Sequence, residues 1–218
     1  MLRAVPAVVA MRFSHRLGSA ALPRALAGRS QRLFSTGPSF QSGLTGTLAE
    51  HLDDPSLLRS QAFVGGEWTS TGSTFDVCDP ATGEVIAAVA VCGAREVEAS
   101  VAAAAAAQKA WRGRTGKEKG AVLRRWFDLV QAHSEDLAAI LTMEAGKPLA
   151  EARGEVTYAA SFFEWFSEEA KRAYGDIIPE TVGGRRLIAT KEPVGVCAMI
   201  TPWNFPAAMI TRKVCRLR

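Results

Sequence analysis

An unbroken apolar run, Val194-Gly195-Val196-Cys197-Ala198-Met199-Ile200, closes on Thr201-Pro202 and constrains the fold more than any other stretch. A strand with one face in water alternates apolar and polar side chains. A continuous run instead predicts a strand buried on both faces of a parallel sheet, and so an α/β fold. Trp203-Asn204-Phe205-Pro206 then predicts the start of a helix, because proline suits the first helical turn. In open α/β sheets ligands bind at this carboxyl end of the strands.

The chain leading to that junction reads as short strands followed by helices. Residues 63–68 predict a strand and tight turn, 74–77 a second strand, 79–84 a turn and 85–91 a third strand. A helix is expected over 95–111, with Val97, Val101, Ala104, Gln108 and Trp111 on its packing stripe. Thr115-Gly116-Lys117-Glu118 is a capping box, opening a helix whose inward residues are Val122, Leu123, Trp126, Phe127 and Val130. Ser134 is expected to cap the next helix, with Leu137, Ile140 and Leu141 inward and Gly146 as its stop. A long helix follows over 151–174, where Val156, Ala160, Phe163, Ser167, Ala170 and Tyr174 recur at steps of four and three. It reads as a core helix with no chemistry of its own. Residues 185–190 alternate weakly, as an edge strand does.

Charge divides the chain in two. The first 49 residues hold Arg3, Arg12, Arg16, Arg24, Arg29 and Arg32 and no acid, the first of which is Glu50. Removing these six from the 26 basic residues leaves 20 against 22 acids, so the remainder carries about −2. The basic balance belongs to the leader. A nucleic-acid partner, which needs a basic surface on the folded body, is not expected. No apolar run approaches the roughly 18–20 residues needed to span a bilayer, so no membrane role is expected either. The Arg-rich, acid-free leader reads as a mitochondrial transit peptide over 1–34, with cleavage near Phe34/Ser35 and delivery to the matrix. A secretory signal with its apolar region at 4–11 is the rival, interrupted by Pro6 and followed closely by Arg12 and Arg16. Residues 35–56 read as a linker, with order expected from near Leu57. Cys78, Cys92, Cys197 and Cys215 form no CxxC pair, and His15, His51 and His133 are scattered. No metal site or disulfide framework follows from them.

At Ile200-Thr201-Pro202-Trp203-Asn204-Phe205-Pro206 the sequence resembles the aldehyde dehydrogenase superfamily. Phe63-Val64-Gly65-Gly66-Glu67-Trp68, Asp79-Pro80-Ala81-Thr82-Gly83-Glu84, Glu144-Ala145-Gly146-Lys147-Pro148 and Pro193-Val194-Gly195-Val196 are similar to family blocks, in family order. Phe163-Glu164-Trp165-Phe166-Ser167-Glu168-Glu169-Ala170, Tyr174-Gly175-Asp176 and Ala207-Ala208-Met209-Ile210-Thr211-Arg212-Lys213 are similar to its succinate-semialdehyde branch.

The resemblance implies the first part of that family's fold. Residues 57–182 would be the N-terminal part of a Rossmann-like cofactor domain and 183–192 an oligomerisation strand. Residues 193–218 would then be the first buried strand and helix start of its core. It implies oxidation of an aldehyde by NAD, with NADP as the alternative, in a homo-oligomer expected to be a tetramer. A thiolate attacks the aldehyde in this chemistry, and the carbonyl oxygen becomes negative. Asn204 matches the position whose side-chain amide donates to that oxyanion; on its own it could equally close a strand-to-helix turn. Ile200, Thr201, Pro202 and Trp203 match the segment lining the nicotinamide-ribose side of the cofactor cleft, although Trp203 alone could be core. Phe205, Met209 and Arg212 are spaced by four and three on one helix face, which in the family lines the substrate tunnel. A guanidinium there can hold a carboxylate bidentately, and succinate semialdehyde carries one opposite its aldehyde. A solvated arginine is the bland alternative.

After Val214 the chain departs from the family pattern as Cys215-Arg216-Leu217-Arg218. The resemblance places the catalytic cysteine, the general-base glutamate and the glycine-bearing cofactor loop beyond this point. The 218 residues are therefore expected to be an incomplete form, inactive alone. The alternatives are another semialdehyde as substrate, or a non-catalytic chain docking on full-length subunits through 185–190.

Overall fold

The computed structural model describes residues 48–215. The leader at 1–34, its cleavage point, linker residues 35–47 and residues 216–218 lie outside the described residues.

Packing begins earlier than Leu57. Leu48–His51 forms a 3-10 turn, and Leu48 and Leu52 are buried against Ile140. The carboxylate of Asp136 accepts from Asp53 N and Asp54 N, both at 2.9 Å, and ties this segment down. The sequence pattern missed it because two leucines in a polar stretch show no period.

Two antiparallel hairpins follow: β1 (Ala62–Val64) with β2 (Glu67–Thr69), and β3 (Thr74–Cys78) with β4 (Val85–Ala90). Gly65 and Gly66, at φ 61° and 94°, form the two-residue turn of the first, a conformation that matches the right-handed twist of its strands. Val77 and Val89 face each other's side of the second hairpin as a small satellite core.

Helices α1 (Ala94–Arg112), α2 (Gly116–Ala132), α3 (Ser134–Ala145) and α4 (Leu149–Glu169) come next, and a 3-10 turn, Ala170–Arg172, ends the last. The main core lies where α2, α3 and α4 meet, around Leu123, Val130, Leu141, Val156 and Phe163. Trp126 meets Phe163 edge-on, with ring centroids 5.1 Å apart. Helix α2 approaches the end of α4 so closely that a Cβ at Gly120 would sit 2.5 Å from Ser167 O. Gly146 stops α3 in the left-handed conformation, as the sequence predicts.

Three expectations on these helices need correction. No residue of α1 is buried, and Val97 and Val101 point to solvent; alanines make the helix, but the described residues cover little of it. Ser134 is the first residue of α3 rather than its cap: His133 takes the cap position, with no side-chain hydrogen bond. Tyr174 lies beyond the end of α4 and is exposed, because the chain turns at Ala170.

The largest difference lies after α4. Asp176–Ile178 and Leu187–Ala189 pair antiparallel as β5 and β6, so the edge strand expected at 185–190 is present with a partner that the sequence did not suggest. The run 194–200 is not a strand. It has no regular structure, and Val194 and Ile200 are 89% and 91% exposed. Every sheet among the described residues is a two-stranded antiparallel hairpin, so no parallel neighbour is there to pair with it. A final helix, α5 (Pro206–Val214), packs back on α4 through Ala159, Ala207 and Ala208, small residues that let the two backbones come close.

Candidate functional site

The residues singled out by sequence fall on one junction, the loop ending at Phe205 and the first turns of α5. Ile200, Pro202, Trp203, Asn204 and Phe205 are exposed, Thr201 is half-buried, and Pro206 opens the helix as its first residue. Asn204 thus lies two residues ahead of a helix N-terminus. Among the described residues, the backbone groups of Ile200, Thr201 and Trp203 make no backbone hydrogen bond. They are open to a ligand or a neighbouring strand.

Met209 N donates to Phe205 O at 2.9 Å, and Arg212 Nη2 lies 2.9 Å from Met209 Sδ. The side chains of Arg212 and Met209 are therefore in contact on one face of α5. Met209 is half-buried and Arg212 exposed, so a guanidinium stands at the outer end of a partly apolar stripe. The described residues form an open surface there, not a closed tunnel. A shallow depression of about 230 Å³ lies elsewhere, between α2 and the end of α4, lined by Lys117, Arg124, Ser167 and Lys171 among others.

Two charged residues that the sequence reading passed over hold this junction. Lys147, just before α4, and Glu155, within it, form an ion pair with side chains 15% and 1% exposed. Glu155 Oε1 accepts from Ala207 N at 2.9 Å and from Ala208 N at 3.3 Å. These are two of the amides that a helix start leaves without intrahelical partners. Lys147 Nζ lies 3.4 Å from the carbonyl oxygen of Asn204 and 4.7 Å from the centre of the Phe205 ring. Helix α4 thus carries more than an apolar stripe: its buried acid Glu155 reaches the start of α5. The signal was available: Glu155 falls between Ala152 and Ala159, at steps of three and four, on the helix's buried side.

Cys78, Cys92 and Cys197 are exposed, and the Cys197 thiol lies 3.7 Å from Gly195 O. Cys215 is buried in the main core, and burial pushes its pKa up to about 12. A thiol held protonated in an apolar setting is inert. Among the described residues, no group of three or more His, Cys, Asp or Glu is arranged to hold a metal ion. No described helix is long and apolar enough to cross a membrane.

Residues 68–216 match the aldehyde dehydrogenase family. A glutarate-semialdehyde dehydrogenase of Pseudomonas putida is 56% identical over 164 residues, 74% of this chain and 34% of that protein. The mitochondrial succinate-semialdehyde dehydrogenase of Mus musculus is 50% identical over 188 residues, 86% of this chain and 34% of its own. The crystal structure of succinate-semialdehyde dehydrogenase from Burkholderia pseudomallei superposes with a TM-score of 0.73 at 59% identity, covering 75% of this chain and 34% of that one. The chain thus spans about a third of the length of the relatives it matches.

Proposed function

Because the chain belongs to the aldehyde dehydrogenase family, with the α/β fold of that family's N-terminal portion, we propose that a full-length protein carrying this segment oxidises succinate semialdehyde to succinate. NAD is the proposed cofactor, with NADP the alternative. The observation that carries the reading is the junction itself. Asn204 stands where a loop meets a helix, and Arg212 stands on the same helix at the far end of a stripe with Phe205 and Met209 between them.

In this reading the Asn204 side-chain amide donates to the aldehyde oxygen as it becomes negative. A neutral donor already in place stabilises charge that develops only in the transition state, worth about 2.7–4 kcal/mol of barrier. Ile200, Thr201, Pro202 and Trp203 would hold the nicotinamide side of the cofactor, mainly through open backbone groups. When bound, that cofactor accepts a hydride. Arg212 pairs with the substrate carboxylate, and Phe205 and Met209 line the apolar path between. Glutarate semialdehyde differs by one methylene and keeps the terminal carboxylate, so the same arginine would serve a relative of that name. Carboxylated semialdehydes are the class; succinate semialdehyde is the member favoured by the residues around α4 and α5.

Location in the mitochondrial matrix and a homo-oligomer are part of the same proposal. The first is supported by the Arg-rich, acid-free leader and the mitochondrial mouse relative, the second by the hairpin edge at β6 left open among the described residues. The 218 residues alone are proposed to be inactive, a reading that the buried, protonated Cys215 supports.

The test is kinetic. In the full-length protein, Arg212→Ala should raise the KM for succinate semialdehyde far more than that for a neutral aldehyde of similar length. Asn204→Ala should lower kcat by about 10²–10³-fold. Equal effects of Arg212→Ala on both aldehydes remove the carboxylate role, and NADH formed by the purified 218-residue chain overturns its inactivity.

A further inference from the structure

Burying a carboxylate is costly unless hydrogen bonds and a counter-charge replace the lost water. Glu155, its side chain 1% exposed, has both: two amides of α5 and the ammonium of Lys147. A simpler helix start was available, with Ser, Thr, Asp or Asn at the residue before Pro206 accepting from the same amides. Phe205 stands there instead and makes no side-chain cap. The cap of α5 therefore comes from another helix, 52 residues earlier for Ala207.

We infer that Glu155 and Lys147 are positioning residues for Asn204, gripping the backbone on both sides of Phe205 and Pro206. Upstream of the grip, residues 196–203 make no backbone hydrogen bond among the described residues. Downstream, Ala207 and Ala208 are buried on α4. Asn204 sits at the boundary, with its carbonyl oxygen within reach of Lys147. A donor is useful only if its support holds it to within about 0.5 Å of the productive place, and here the pair supplies the support that the loop lacks. There is a second consequence. The N-terminus of a helix ordinarily attracts anions, but in α5 that place is filled by Glu155. A substrate carboxylate or a cofactor phosphate is thereby turned away from it, towards the cations of the helix's last turn, Arg212 and Lys213.

The inference rests on the oxyanion role proposed for Asn204, yet the grip can be read without any aldehyde, so the two can fail separately. The experiment is ¹⁵N NMR with amide hydrogen exchange on the 218-residue chain. In Glu155→Ala, exchange at Ala207 and Ala208 should accelerate by about tenfold or more, the loss expected when charge-assisted hydrogen bonds are removed. Ile140 and Leu141, in the buried part of α3, should keep their protection. Glu155→Gln keeps an acceptor oxygen and should restore part of the protection at Ala207. Lys147→Met keeps the side-chain length and should move the Asn204 side-chain amide and Trp203 indole resonances while sparing those of α3. Loss of protection in α3 and α5 together, including outright unfolding, makes Glu155 an ordinary core residue and overturns the assignment. So do Asn204 and Trp203 resonances that stay in place in both Glu155→Gln and Lys147→Met.

Discussion

The helical body and the segment from 173 to 205 both carry large aliphatic side chains and treat them in opposite ways. Ile140 and Leu141 of α3 are almost completely buried, whereas Ile177, Val194 and Ile200 are 80–91% exposed. The body closes on itself because three helices bring three apolar stripes to one axis. The segment offers one hairpin and a run of unpaired backbone, and a two-stranded ribbon has nothing of its own to cover its faces. Apolar sequence gives the demand for burial; a second layer must supply it. The solved relatives are about three times as long as the matched region, so a chain of that length has material for such a layer.

The sharpest way to break this contrast is a pair of truncations measured by urea unfolding. Phe163, 2% exposed and edge-on to Trp126, should cost about 3–5 kcal/mol when changed to alanine. Ile200→Ala should stay within about 0.5 kcal/mol. A comparable cost at both positions would mean that 194–200 is packed in solution, and the division into body and open segment would go.

A smaller effect sharpens where the body begins. Asp136 is buried, and its two oxygens each take a backbone amide, from Asp53 and Asp54. Asp136→Ala leaves both donors without that partner and should cost about 1–3 kcal/mol. Hydrogen exchange should rise at Asp53 and Asp54 while Phe163 stays protected. Unchanged exchange at those two amides would move the edge of the body back towards Leu57.

The regions also differ in how much of them can be read from sequence. Helix periods are local, so Leu123, Val130, Leu137, Ile140 and Leu141 fall inward as their spacing says. So do turn chemistry and stops: Gly146 and the Thr115–Glu118 box are found in their predicted roles. What failed was non-local. The run 194–200 reads as a buried strand, but its pairing depends on strands that its own residues do not specify, and none stands beside it among the described residues. The stripe of α1 failed similarly, since Val97 and Val101 have the right period and no cover. Asn204, Met209 and Arg212 could be placed on one junction from a motif and a spacing. The Lys147–Glu155 grip shows in the sequence only as one acid on an apolar stripe; the hydrogen bonds by which Glu155 reaches from α4 to α5 leave no local mark of their own.

The mildest prediction concerns the body's own ends and reads protonation directly. Helix α2 starts with Thr115 Oγ1 accepting from Glu118 N at 3.2 Å, while Glu118 accepts from Thr115 N at 2.8 Å and from Arg114 at 3.0 Å. Replacing Thr115 by alanine removes one half of the box and should cost about 1 kcal/mol. The other half depends on pH. The hydrogen bond from the Thr115 backbone amide, then those from its hydroxyl and from Arg114, hold the Glu118 carboxyl below its ordinary value of 4.5. Glu96 is lowered likewise by the amide of Gly93 at the start of α1. A carboxyl lowered in the folded state adds stability above its unfolded value, and that stability is lost as pH falls through the folded one. Amide protection at the first turn of α2 should therefore be level above pH 5 and decline on acidification from about 4.5 downward. The Glu118 side-chain shift should titrate with a midpoint under 4.5. Glu118 and Arg114 are both exposed, so added salt should shrink the part contributed by Arg114 and spare the part contributed by the amide. Glu118→Gln should remove the pH slope at that turn and leave the interior of α3 unmoved. A midpoint at or above 4.5 would mean that the box is open in solution, and that the body closes its helix ends no better than the open segment closes its strands.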